Sequence, residues 1–214
     1  MEMSRFNIGC NYREICKQKL RVSDLCKSDI QNCGLVYGIF KVTREADHKG
    51  LIPRSLKRLS EEIEDEALKI YQKKRRSGLG QMIERKIKQF LMSPDSDFRE
   101  ADKEVRSKIK NILGLRPDII IGNKEPHTVI ELFNWWDSNK FRSAMMQGYM
   151  LKKEFPTVKY FVVIFNILPT DELTKSEKIH LEWAKEEGFV DEVYGFTELP
   201  KLLVQLSASK KRSR

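Results

Sequence analysis

The sequence predicts an α/β fold: a central mixed β-sheet flanked by helices, preceded by a mainly helical N-terminal extension. Three observations predict it. Ile119 to Ile121 and Thr128 to Asn134 are short runs rich in β-branched residues, parted by the turn residues Gly122, Asn123 and Pro126. Val158 to Leu168 (VKYFVVIFNIL) is a continuous apolar stretch, the pattern of a central strand covered on both faces. Around these runs, apolar residues recur at spacings of three and four, the period of amphipathic helices.

Taken in order, residues 1–53 form the extension. Ile15, Leu20, Leu25 and Ile30 anchor two short helices, with a cap at Val22-Ser23-Asp24. With Arg13, Lys17, Lys19, Arg21 and Lys27 the pair reads either as a DNA-reading helix-turn-helix or as a plain helical pair. Gly34 to Thr43 is strand-like. Cys10, Cys16, Cys26 and Cys33 match no paired C-x-x-C spacing. They read as buried or incidental thiols, with zinc or a disulfide as the alternatives.

Residues 54–77 predict a charged connecting helix whose stripe is Leu56, Leu59, Ile63, Ala67 and Ile70. Its acidic middle and basic end suit the helix dipole, so a structural account covers most of these charges. Residues 78–206 form the core and residues 207–214 a basic, disordered tail. Within the core, Gln81 to Leu91 predicts a helix with Met82, Ile83, Ile87, Phe90 and Leu91 inward. Ser93 to Arg106 reads as a loop with some helix. Trp135 and Trp136 read as one core residue and one cover for a strand end, with stacking on unpaired bases as the alternative. The helix from Ser138 buries Phe141, Met145 and Leu151. Thr174 to Glu187 predicts a helix with Ile179, Leu181 and Trp183 on its buried side, closed by Gly188. A last strand, Val190 to Tyr194, and a last helix, Thr197 to Leu206, complete the order.

The chain has 214 residues, of which 40% are hydrophobic, enough for a substantial core. Its formal net charge of +9 points to a polyanionic partner, nucleic acid before a membrane surface. No apolar run approaches the roughly 20 residues that cross a bilayer. The opening MEMSRFNIGC reads as neither signal nor transit peptide, so a soluble, intracellular protein is expected. Lys73, Lys74, Arg75 and Arg76, with Arg116 and Arg142, are the cations expected to meet phosphates.

The chemistry concentrates between Arg116 and Phe155. Asp118 opens the first hairpin strand and Glu131 sits mid-way along the second, so two carboxylates reach one end of the hairpin. Both lie in otherwise apolar strands, where a partly buried carboxylate needs a partner such as a metal or a lysine. Hard divalent cations take oxygen ligands and keep water for substrate, so this pair could hold one against a phosphate.

Pro117-Asp118, a hairpin turn and Glu131 in an apolar strand resemble the PD-(D/E)XK nuclease superfamily. The resemblance extends to a Gly-x-x-x-Glu helix, Gly80 to Glu84, and to Gln147 downstream, and it covers about residues 78–200. It implies a restriction endonuclease-like or Holliday junction resolvase-like core. It also implies Mg²⁺ or Mn²⁺ bound by Asp118, Glu131 and the Leu132 carbonyl, with Glu84 assisting and Gln147 holding water or a phosphate oxygen. Where that family has its lysine, this chain has Phe133, on the same strand face as Glu131. Either another cation has moved into the site or the site is inactive. Lys140 shares a helix face with Gln147, by spacing, and Lys124 in the hairpin turn is the second candidate. An ordinary solvated lysine is the other reading of Lys140. The expected function is a metal-dependent DNA endonuclease acting on duplex or branched DNA as a homodimer. The alternatives are an impaired nuclease fold that binds nucleic acid, and a DNA-binding regulator led by the N-terminal helices.

Overall fold

A computed structural model describes residues 53–72, 78–92, 100–133, 138–164 and 174–211. The N-terminal helix pair with its four cysteines, Lys73 to Arg76, Trp135 and Trp136 lie outside the described residues. The chain divides into two compact units, Met1–Lys86 and Ile87–Arg214.

In the first unit, helix α1 (Arg54–Gln72) buries Leu56, Leu59, Ile63 and Ala67 of its predicted stripe, whereas Ile70 is half-buried. Helix α2 (Leu79–Leu91) begins after Gly78 and buries Met82 and Ile83. The acidic middle of α1 has structural work: Glu66 pairs with Arg85 at 2.7 Å, and Glu62 and Glu66 pair with Lys86 at 3.3 and 3.2 Å.

The second unit is α/β. Helix α3 (Lys103–Leu113) starts inside the stretch read as a loop with some helix and continues to the approach of the hairpin. Local chemistry explains its bounds. Asp102 Oδ1 accepts from the Glu104 and Val105 N–H groups at 3.0 Å, and Gly114 closes the helix at φ +68°. Four strands follow in sheet order: β1 (Ile119–Gly122), β2 (Pro126–Phe133), β3 (Lys159–Ile164) and β4 (Glu192–Gly195). The β1–β2 pair is antiparallel, and β2–β3 and β3–β4 are parallel, so the sheet is mixed. Helix α4 (Ser138–Glu154) crosses over between β2 and β3, and α5 (Lys175–Glu186) between β3 and β4. A 3-10 turn (Phe196–Glu198) leads into α6 (Leu199–Lys211). That helix runs through residues 207–211, which the sequence reading assigned to a disordered tail.

Alternation sorts the strand residues. Ile120, Val129, Tyr160, Val162, Ile164 and Val193 join one core cluster with Val105 and Ile109 of α3, Phe141, Ala144 and Leu151 of α4, and Leu181 and Ala184 of α5. Ile119, Ile121, Ile130, Leu132, Phe161 and Val163 occupy the other face and are buried as well. Burial on both faces is why β3 reads as one apolar run. In α5 the expected inward set is corrected: Leu181 and Ala184 are buried, whereas Ile179 and Trp183 are 53% and 45% exposed. Residues 179, 181 and 183 step by two, and two steps of 100° carry a helical side chain to the far side.

The hairpin turn demands glycine. Gly122 sits at φ +155°, and a Cβ there would meet the Glu125 carbonyl oxygen at 2.1 Å. At the outer edge of β1, Glu100 bridges Ile121 and the Ala101 N–H donates to the Ile120 carbonyl at 2.7 Å. These contacts occupy part of an otherwise open strand edge.

Candidate functional site

The hairpin register positions the carboxylates. Ile119 pairs with Ile130, so one further step sets Asp118 opposite Glu131. Directly opposed residues of an antiparallel pair have Cβ atoms about 4.5–5.5 Å apart. The ladder ends here because Pro117 has no N–H. Asp118 takes over the next bond, its Oδ2 accepting from the Leu132 N–H at 2.8 Å. A strand residue's N–H and C=O address the same neighbour, so the Leu132 carbonyl lies on the Asp118 side too. Two carboxylates and one carbonyl therefore converge at the open end of the hairpin. Glu131 is only 9% exposed and Asp118 is half-buried.

Glu131 shares its face with Val129 and with their β3 partners, Val162 and Tyr160. Phe133 lies two residues on, on the same face, and packs its ring against the same core cluster. Tyr160 is fully buried, and its hydroxyl finds no hydrogen-bond partner among the described residues. Burial pushes that phenol's pKa well above its usual value, and the charges of Glu131 and Asp118 push it further. The phenol therefore stays protonated beside the two acids.

On the outer side of β1, Lys88 Nζ donates to the Asp118 carbonyl at 3.5 Å and pairs with Glu100 at 2.5 Å. Arg106 pairs with the same Glu100 oxygen. Burial lowers the Lys88 pKa, Arg106 lowers it further, and Asp118 opposes both.

The remaining sequence-derived residues divide clearly. On α4, Phe141, Ala144, Gly148 and Leu151 form the buried stripe. At 100° per residue, Lys140 and Gln147 fall together on one flank of it, Lys140 exposed and Gln147 half-buried. Lys124 is exposed in the turn after Gly122, at the closed end of the ladder. Asp118 to Gly122 is four strand steps, about 13 Å, which takes Lys124 out of reach of the carboxylates. That placement corrects Lys124 as a site residue. Glu84 is half-buried on α2, and Arg116 and Arg142 are exposed.

Sequence reasoning missed Tyr160 and Lys88 as neighbours of the site. Tyr160 stood inside an apolar run; within β3 it and Lys159, the first residue of the strand, are the side chains that carry a polar group. Lys88 lies 30 residues before Asp118, beyond what local spacing shows.

Among the described residues no three His, Cys, Asp or Glu side chains cluster closely enough to hold a metal by themselves. The donor chemistry still fits a small hard cation, since Mg²⁺ is commonly held by one or two carboxylates and keeps several waters. Among the described residues no helix is long and apolar enough to cross a membrane. No family model, curated protein or solved structure matches the chain.

Proposed function

We propose that this protein is a metal-dependent endonuclease that hydrolyses phosphodiester bonds in DNA, built on a restriction endonuclease-like core. One observation carries the reading. The register of β1 on β2 opposes Asp118 and Glu131, and the Asp118–Leu132 hydrogen bond holds that pair beside a strand carbonyl. Two carboxylates placed together in a largely buried position form a ligand pair that a hard cation can join. The net charge of +9 supports a polyanionic substrate.

Asp118, Glu131 and the Leu132 carbonyl would hold Mg²⁺ or Mn²⁺. When bound, the ion supplies charge neutralisation at the phosphate and a more acidic water. The chain's own residues do the rest. Leu132 N–H orients the Asp118 carboxylate, and the apolar face around Val129, Val162 and Phe133 keeps bulk water away. Gln147 and Lys140, on their shared flank of α4, would contact the water or a phosphate oxygen. Lys88, already bonded to the Asp118 backbone, is the second cation for that task. Arg116, Arg142 and the run Lys73, Lys74, Arg75, Arg76 would bind the DNA backbone. One site cuts one strand, so double-strand cleavage calls for a homodimer.

The core packing of Phe133 favours a second reading, a nuclease fold retained for binding nucleic acid without cutting it. Supercoiled plasmid incubated with the protein, with and without Mg²⁺ or Mn²⁺, separates the two. Metal-dependent nicking or linearisation, absent in Glu131→Ala, is the expected result. Tight binding with no cleavage of plasmid or of a branched junction would replace the first reading with the second.

A further inference from the structure

A phenol hydroxyl in a dry core needs a partner, because it gave up its bonds to water on burial. Tyr160 carries such a hydroxyl at 0% exposure, without a hydrogen-bond partner among the described residues. Packing alone does not call for it, because phenylalanine supplies the same ring without the cost. The next residue, Phe161, is a phenylalanine that is equally buried.

The surroundings fix where this ring can go. The Tyr160 backbone is held at both polar groups, its N–H donating to Asp191 Oδ2 and its carbonyl accepting from the Asp191 N–H, each at 2.8 Å. Gly148 of α4 lies against the ring, since a Cβ there would approach Tyr160 Cδ1 to 2.8 Å. In the β2–β3 register Tyr160 stands beside Val129, two residues before Glu131 and on the same sheet face. Strand side chains stand roughly perpendicular to the sheet, so Tyr160 and Glu131 project into the same layer. The hydroxyl feels Glu131 most strongly and Asp118 next, yet bonds neither. An oxygen brought between polar groups that stand beyond hydrogen-bond distance can bridge them.

We propose that Tyr160 is a positioning residue for a divalent cation held by Asp118 and Glu131, its hydroxyl taking a water of the cation's shell as its hydrogen-bond partner. This rests on the metal centre of the nuclease reading, but it concerns cation binding and can be tested without any cleavage. It gives the orphaned hydroxyl a partner, and gives a centre with two carboxylates a third oxygen contact. Outer partners of metal ligands typically contribute 10- to 100-fold in metal affinity.

Titration of the purified protein with MnCl₂ in a calorimeter, for wild type, Tyr160→Phe and Glu131→Ala, is the test. Thermal unfolding of wild type and Tyr160→Phe in EDTA accompanies it. Wild type should bind Mn²⁺, Glu131→Ala should abolish that binding, and Tyr160→Phe should weaken it about tenfold. In EDTA the Phe variant should unfold at the same or a higher temperature, because it has lost only an unsatisfied hydroxyl. Equal Mn²⁺ affinity in Tyr160→Phe and wild type overturns the proposal and leaves the metal centre standing. A lower unfolding temperature of the Phe variant in EDTA also overturns it, since the hydroxyl would then serve the metal-free fold. No Mn²⁺ binding by wild type, or binding indifferent to Glu131→Ala, brings down the metal centre and the proposal with it.

Discussion

Asp191 and Tyr160 exchange backbone hydrogen bonds across the entrance to β3: the Asp191 carboxylate accepts the Tyr160 N–H, and the Asp191 N–H donates to the Tyr160 carbonyl, each at 2.8 Å. The same carboxylate pairs with Lys152 at 2.6 Å and Lys159 at 2.9 Å. One acid thus ties the end of α4, the start of β3 and the approach to β4. Burial raises its pKa, but Lys152, Lys159 and the Tyr160 N–H outweigh burial and hold it below the usual carboxylate range. A depressed folded-state pKa stabilises above the unfolded value of about 3.9 and loses that contribution as pH falls through the folded value. Asp191→Asn should therefore cost about 2 kcal/mol at pH 7, the partly exposed lysines being screened. The cost should shrink below about pH 4. Urea unfolding at pH 7 and pH 3 measures both, and an equal cost at the two pH values would remove the ionic explanation.

Gly148 is where α4 comes closest to its neighbours. A Cβ at this position would meet the Phe189 carbonyl oxygen at 2.0 Å and Tyr160 Cδ1 at 2.8 Å. Since the nearer obstacle is backbone, the helix itself has to move. Alanine ordinarily favours a helix interior over glycine by about 1 kcal/mol. Gly148→Ala should reverse that sign and destabilise by about 1–3 kcal/mol, the usual scale of overpacking. A thermal midpoint equal to or above that of wild type would show that α4 does not sit this close.

The hairpin, the central strand and the amphipathic helices were legible because each depends on local spacing: β-branched runs around Gly122, a twofold-buried β3, three-and-four stripes in α1 and α4. Asp118 and Glu131 were legible as a pair for the same reason, their opposition following from a short turn. What lay beyond the sequence needs nonlocal register. That Tyr160 falls beside Val129, and so on the face of Glu131, depends on a parallel pairing across the whole of α4. That Lys88 reaches the Asp118 carbonyl spans 30 residues. Lys124 misled for the converse reason, since nearness in sequence to Asp118 put it at the wrong end of the ladder.

Two lysines remain for the place that Phe133 fills with a ring. Lys88 touches the Asp118 backbone, while Lys140 is exposed on α4. General acid–base or positioning groups contribute typically 10²–10⁴-fold to rate. Lys88→Met should lower Mn²⁺-dependent cleavage by about that range, whereas Lys140→Met should cost less. Arg106 still neutralises Glu100 in the Lys88 variant, so its fold should be kept. Single-turnover cleavage of a labelled duplex compares them, and a larger loss in Lys140→Met would assign the role to α4.

Asp118 has two duties that separate substitutions can part. Its Oδ2 accepts the Leu132 N–H, a bond that closes the ladder after Pro117. Asparagine keeps an acceptor there and loses the charge; alanine loses both. Asp118→Asn should therefore unfold within about 0.5 kcal/mol of wild type, as substitutions that keep their contacts do. Asp118→Ala should cost about 1–3 kcal/mol for the orphaned N–H. Both should abolish metal-dependent cleavage, because neither offers an anionic oxygen to a hard cation. Denaturant unfolding and plasmid nicking on the same preparations read the two duties independently. Retained nicking by Asp118→Asn would mean that the carboxylate serves the strand end alone.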